Sequence, residues 1–310
     1  MMKLVTAALL ITSFAASAAV AQNALQPTQM LVSLDGRSTP LDASAITVEI
    51  NGRKGPLQSW QPLAPEDMQV VLLLDDGLRQ SFVREMDNIR TFVSTLPNGV
   101  EVMVGFMQFG RVVTAQSFTT NHQRAAAAVH LPQGVTGASA SPYVCLQDFV
   151  KSWPGGEERS SSSAARPKTR MILMISNGVD PYNGSTSILN QDSPYVKQAV
   201  TEAQRAGVAV SAIYFGDSGI NGTSANDSGQ NYLSQIATNT GGVSYWQGVG
   251  NPVSLEPYLK EFQQSLGHLY VAGFLAPVGR DPQRDLVRVK ISAPHVKLRG
   301  ASNILPGNRE

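Results

Sequence analysis

Residues 69–82 read QVVLLLDDGLRQSF, and this stretch decides the fold. Five apolar residues, 70–74, run without a break into Asp75, Asp76 and Gly77. A short uninterrupted apolar run bounded by turn residues predicts a strand buried on both faces of a parallel sheet. Residues just past the C-terminal end of such a strand lie at the rim where open α/β sheets bind ligands. Asp75, Asp76 and Arg79 are therefore the first candidate site residues.

Downstream, the pattern alternates between strand and helix. Residues 81–96 carry Phe82, Met86, Ile89, Val93 and Leu96 at helical spacing, and Pro97-Asn98-Gly99 stops that helix. Residues 100–108 and 111–118 are strand-like and joined across Phe109-Gly110, too short a link for a parallel crossover, so they pair as an antiparallel hairpin. Thr120-Asn121 caps a short helix over 122–130. A Gly-rich loop, 134–141, leads into a helix over 142–153, and the serine-rich segment 154–168 reads as a solvated loop. A second apolar strand, 171–175, ends in Ser176-Asn177-Gly178, and a helix over 195–206 is closed by Gly207. A third, 208–215, ends in Gly216-Asp217-Ser218-Gly219. A helix over 229–238, a short edge strand over 243–246 and a last helix marked by Leu255, Tyr258, Phe262, Leu266 and Leu269 complete the series. The alternation predicts a three-layer α/β/α sandwich around a mostly parallel, Rossmann-like sheet with one antiparallel hairpin strand.

Both flanks are β-like. Residues 30–34 and 46–50 precede the α/β region, and Asn51-Gly52 offers a tight turn into 57–60. Residues 269–275 and 285–291 come after it, with Val287, Val289 and Ile291 alternating with Arg288 and Lys290. Short strands need a packing partner, so the two flanks are expected to form one small β-unit. The division expected is a signal segment over 1–21, N-terminal strands over 28–66, the α/β domain over 67–268, and C-terminal strands over 269–306.

The signal segment rests on Lys3, the apolar stretch 4–16 and Ala19-Val20-Ala21 before Gln22. The stretch is too short and too rich in Ala, Ser and Thr for a stable membrane span, so the mature chain is expected in the periplasm or outside the cell. Twenty-four basic and 23 acidic residues give a net charge of +1, which leaves no electrostatic footprint for nucleic acid. Cys145 is the single cysteine, so no intramolecular disulfide can form, and its apolar neighbours suit a small buried hydrophobe.

Other motifs carry less. Ser218 in the GDSG string suggests a serine hydrolase, yet a trypsin-like enzyme needs an all-β chain. A GDS-type esterase needs Asp-x-x-His near the C-terminus, whereas Ser265 and Ser292 precede His268 and His295. His122, His130, His268 and His295 share no metal-ligand spacing and read as surface or helix-end residues. No G-x-G-x-x-G or P-loop string comes after the first strand. Asp180 and Tyr182 open a rim loop, and Tyr182 could anchor a partner there.

The apolar strand ending in Asp75, the hairpin, the second strand ending in Asn177-Gly178 and Thr240-Gly241-Gly242 together resemble a von Willebrand factor A (VWA) domain. Ser141-Pro142-Tyr143, Trp153-Pro154, Pro257-Tyr258-Leu259 and the closing β-segments resemble the secreted "VWFA-related" proteins of acidobacteria, over about residues 28–306. The resemblance implies a bacterial, non-enzymatic protein-binding or cell-adhesion module. A domains hold Mg²⁺ through Asp-x-Ser-x-Ser, a loop Thr and a later Asp, oxygen ligands that suit that ion. Here those positions fall on Asp75, Gly77, Arg79, Thr136 and Asn177. Gly77 has no side-chain oxygen, Asn177 lacks the charge, and the Arg79 guanidinium repels a divalent cation. The site is thus expected to be degenerate and metal-free, with no cofactor. The partner, a protein or envelope component, is expected on a rim of Asp75, Asp76, Gly77, Arg79, Thr136, Asn177, Asp180 and Tyr182. The alternative is a rearranged Mg²⁺ site using Asp75, Asp76 and Thr136.

Overall fold

Strand β1 (Leu25–Leu34) opens a run of short strands, β2 (Thr47–Ile50), β3 (Arg53–Gly55) and β4 (Leu57–Pro62), before the chain enters β5 (Met68–Asp75). The computed structural model describes residues 25–35, 41–78, 80–134, 141–154, 167–183, 192–216 and 222–308. All eight residues of β5 are buried. Val70, Leu72 and Leu74 point into one apolar core and Val71 and Leu73 into the other, which is why the run is continuous rather than alternating.

Helix α1 (Met86–Ser94), strands β6 (Glu101–Gln108) and β7 (Arg111–Thr119), and helices α2 (His122–Ala127) and α3 (Pro142–Lys151) come next. Strand β8 (Thr169–Ser176), helix α4 (Pro194–Ala206), strand β9 (Val208–Tyr214) and helices α5 (Gly222–Thr240) and α6 (Glu256–Ser265) complete the α/β part. The central sheet has the order β7-β6-β5-β8-β9, with β6, β5, β8 and β9 parallel and β7 antiparallel. Helices α1, α2 and α6 cover one face through Ile89, Val93, Ala125, Leu259 and Phe262. Helices α3, α4 and α5 cover the other through Leu146, Val196, Ala199, Leu233 and Ile236. This is the three-layer mixed α/β architecture the alternation predicts. Because the order reverses about β5, the exits of β5 and β8 diverge there, as at the ligand crevice of open α/β sheets.

The flanks interleave. Strands β10 (Leu269–Pro277), β11 (Val287–Ser292), β12 (Leu298–Gly300) and β13 (Asn303–Ile304) pair with those of the N-terminal flank in two sheets, β12-β1-β10-β4 and β13-β11-β2-β3. Met30, Val32, Val48, Ile50, Phe274, Val289 and Ile291 fill the space between them. Hydrogen bonds from Gln204 to Asn239 and Ser302 hold this β-unit to the C-terminal ends of α4 and α5. Since those helices run antiparallel to the strands, the β-unit lies at the end of the central sheet opposite the rim.

Several local expectations change. The first helix begins as a 3-10 segment, Gln80–Glu85, and is α-helical only from Met86. Helix α5 starts at Gly222, seven residues before the expected start at Gly229. Its Gly, Asn, Ser and Asp are poor helix formers, but buried Tyr232, Leu233 and Ile236 anchor it on the sheet, and packing overrides propensity. The edge strand over 243–246 reduces to one bridge, between Ala212 and Ser244. Asn51-Gly52 turns into β3, while β4 crosses to the other sheet and pairs with β10. His122 is buried and its Nε2 lies 2.8 Å from the Val100 carbonyl; His130 stacks on Phe106.

Candidate functional site

The rim is built where β5, β6, β8 and β9 end. Asp75 is the last residue of β5, and Leu74 pairs with Ile175, so the next step along both strands brings Asp75 beside Ser176. The Ser176 hydroxyl donates to Asp75 Oδ2 at 2.7 Å, and the Gly77 amide donates to Oδ1 at 3.0 Å. Ser176 Oγ in turn accepts from the Gly178 amide at 3.0 Å. Asp76 turns toward the segment after α2. Its Oδ1 accepts from the Gln133 amide at 2.7 Å and its carbonyl from Gly134 at 3.2 Å, which clips that segment to the end of β5.

The β8 exit is tied down as closely. Asn177 is buried, and its Oδ1 accepts from the Val179 amide at 2.9 Å. Asp180 is buried with one carboxylate oxygen on the Ser193 hydroxyl at 2.6 Å and the other on the Tyr182 amide at 3.2 Å. Ser193 also caps α4 by accepting from Tyr195 and Val196, so a single hydroxyl joins loop to helix. Tyr143, fully buried, donates to the Gly178 carbonyl at 2.7 Å. Burial, then the charge of Asp180, holds its phenol well above the usual tyrosine range. Gly178, with φ +68°, packs backbone to backbone on Gly229 of α5, leaving no room for a Cβ on either residue.

Of the residues singled out in the sequence, Asp75, Asp76, Gly77 and Asn177 converge at this end of the sheet and are buried. Asp180 lies behind them in the β8 loop, and Tyr182 is half exposed, edge-on to Tyr195. Arg79, Thr136 and Ser218 lie outside the described residues. Among the described residues no group of three or more His, Cys, Asp or Glu side chains could hold a metal. At the junction of β5 and β8, Asp75 and Ser176 supply one carboxylate and one hydroxyl, where Mg²⁺ takes an octahedron of oxygens. Ser176 was not among the expected residues. Its signal was present, a polar residue ending an apolar strand, but only the register shows which neighbour it meets.

The exposed side chains add a second feature. The exposed large apolar residues among those described are Leu25, Val83, Phe109, Val113, Leu131, Tyr182, Val249 and Val253. All but Leu25 and Val113 sit on segments at the C-terminal rim. Phe109, 82% exposed, forms the β6–β7 turn beside the end of β5. Leu131 precedes Gln133, the residue bonded to Asp76. Val249, 98% exposed, belongs to the segment whose Asn251 accepts from Gly216 at the end of β9. Val253 and Val83 flank one corner, because the Leu255 amide donates to Glu85 Oε2 at 2.8 Å.

Phe109 is also strained. Among the described residues, two hairpin turns have positive φ at both positions, Asn51-Gly52 with φ 49° and 78°, and Phe109-Gly110 with φ 47° and 83°. Such turns need positive φ at both positions, which suits Asn and Gly. A phenylalanine in that conformation is an outlier that costs about 1–2 kcal/mol.

No protein-family model and no curated protein sequence matches the chain. The fold is similar to that of von Willebrand factor A domains of known structure. An aerotolerance-related membrane protein of Bacteroides fragilis matches with a TM-score of 0.44 and 14% identity, over 64% of this chain and 98% of that one. The vWF domain of the type V pili tip protein Mfa5 of Porphyromonas gingivalis matches with a TM-score of 0.42 and 10% identity, over 67% and 96%. A von Willebrand factor type A protein of Catenulispora acidiphila matches with a TM-score of 0.40 and 10% identity, over 92% and 75%. At these values the likeness is one of fold and carries no function with it. Among the described residues no helix is long and apolar enough to cross a membrane.

Proposed function

We propose that this chain is an exported, non-enzymatic interaction module that engages a protein or cell-envelope partner through the C-terminal rim of its central sheet, without a bound metal. The observation that carries this reading is the chemistry of the rim. The carboxylates at its strand exits, Asp75, Asp76 and Asp180, are buried and hydrogen-bonded within the protein, while Val83, Phe109, Leu131, Tyr182, Val249 and Val253 face water. A metal-bridged contact requires oxygen ligands open to an ion. Exposed apolar side chains gathered at one end of a domain favour a protein contact instead. The strained, exposed Phe109 adds to this, since local strain at a surface position points to a role there. Arg79 and Asn177, in place of an uncharged oxygen ligand and a carboxylate, support recognition without Mg²⁺. Export rests on the N-terminal segment with Lys3 and Ala19-Val20-Ala21.

Capture of partners from the native cell envelope tests the reading, using the wild type and a Phe109→Ser/Val249→Ser/Val253→Ser variant, each with and without chelator. The expected result is capture by the wild type that is indifferent to chelator and lost in the triple variant. Chelator-sensitive capture restored by Mg²⁺ would replace it with the rearranged site of Asp75, Asp76 and Thr136. Labelling by a serine-reactive phosphonate at Ser218 would overturn the non-enzymatic part.

A further inference from the structure

The β-unit at the opposite end from the rim carries a groove of about 1030 Å³ between the outer face of β11 and the chain from Lys297 to Ser302, floored near Thr238 of α5. Its lining holds Arg288, Lys290, Lys297 and Arg299 against one carboxylate, Glu49. The chain as a whole has a net charge of only +1, so this excess is local. Arg288 and Lys290 are exposed, alternate with buried Val287, Val289 and Ile291, and form no ion pair among the described residues. Glu49 stands in register between Lys290 and Lys54, so that row keeps a net positive charge. On the facing wall Arg299 and Lys297 reach Asp35 at 2.7 and 3.5 Å.

We propose that this groove binds an acidic polypeptide segment in extended conformation. The spacing selects the occupant. Side chains two residues apart on β11 lie about 6.6 Å apart on one face of the strand. An extended peptide with acidic residues at alternate positions presents carboxylates at that same interval, so Arg288 and Lys290 each meet one. The Asp35–Arg299 pair shows, within the protein, how a carboxylate is received at the groove wall. This site is separate from the rim and independent of what docks there.

The probe is a fluorescent octapeptide of alternating glutamate and threonine, titrated with the whole exported chain and followed by polarisation. Saturable binding is expected at about 50 mM salt and its loss at about 0.5 M, where exposed charges are screened. Both lost ion pairs are exposed and individually weak, so Arg288→Gln/Lys290→Gln should weaken binding about tenfold. Lys151→Gln/Lys260→Gln removes the same charge from other exposed positions and should change affinity by less than about twofold. The proposal is overturned by absence of saturable binding or by equal losses in the two double variants. It is also overturned if a peptide with its glutamates in one block, or the carboxylated glycan polygalacturonate, binds better than the alternating peptide.

Discussion

The hydroxyl of Ser176 donates a 2.7 Å hydrogen bond to the carboxylate of Asp75, joining the ends of two neighbouring parallel strands whose residues are 101 positions apart in the chain. Both side chains are buried, Asp75 to 1% exposure. The pair therefore acts as a latch on the rim, with Ser176 passing the link on to the Gly178 amide. A buried hydrogen bond to a charged group contributes about 1.5–3 kcal/mol, so Ser176→Ala should destabilise the fold by about 2 kcal/mol. Urea unfolding at neutral pH measures this. A midpoint unchanged from wild type would remove the latch.

Phe109→Asn should have the opposite sign. Asn tolerates the left-handed conformation that Phe109 adopts at φ 47°, and Phe109 is exposed, so little packing is lost. The variant should gain about 1 kcal/mol in stability while losing partner capture. Destabilisation by this substitution would mean that the aromatic ring supports the hairpin and is not held there for binding.

Cys145 is fully buried, and burial, followed by the charge of Asp75, pushes its thiol up to about 12. An unfolded thiol titrates near 8.5. The folded chain therefore holds a proton that the unfolded chain releases, and this contribution is complete below about 8.5 and declines as pH rises toward 12. Each pH unit above 8.5 should cost the wild type about 1.4 kcal/mol more than Cys145→Ala, up to pH 10 where tyrosines join in. Denaturant unfolding of both chains at pH 8, 9 and 10 reads the difference. Parallel pH curves would show that the thiol is not held protonated by the fold.

Magnesium gives the sharpest test of the metal-free reading. Calorimetric titration of the wild type should show no binding heat. Gly77→Ser combined with Arg79→Ser supplies two hydroxyls and removes the guanidinium, and that variant should bind Mg²⁺ measurably. Heat from the wild type would reinstate a working site around Asp75.

Much of the fold was legible in residue pattern because the signals were local. The short, turn-bounded apolar run of residues 70–74 suited a strand covered on both faces, and the two-residue Phe109-Gly110 link forced an antiparallel hairpin. Asn121 capping α2 and Gly207 closing α4 in the left-handed conformation are equally short-range. The candidate rim came from strand ends, the loop of Asp180 and Tyr182, and the resemblance that supplied Thr136. What stayed hidden was long-range. Nothing near Gly222 marks it as the start of a helix, since α5 is held by the burial of Tyr232 and Ile236 on strands far away in the chain. His122 looks like a helix-end residue until Val100 is brought over it. Val249 and Val253 sit in a Gly- and Pro-containing loop whose apolar character was the available signal, and exposure gave it meaning.

By itself, then, the sequence determined most of the segments that become strands and helices, that β5 is central, and that Asp75 stands at its exit, because period and turn chemistry act over a few residues. Only the tertiary structure decided what Asp75 does there. Parallel register set Ser176 beside it and turned Asn177 into a loop brace, since neighbouring positions on a strand face opposite ways. The same assembly withdrew Asp75, Asp76 and Asp180 from water and left Val83, Val249, Val253, Phe109 and Tyr182 facing outward.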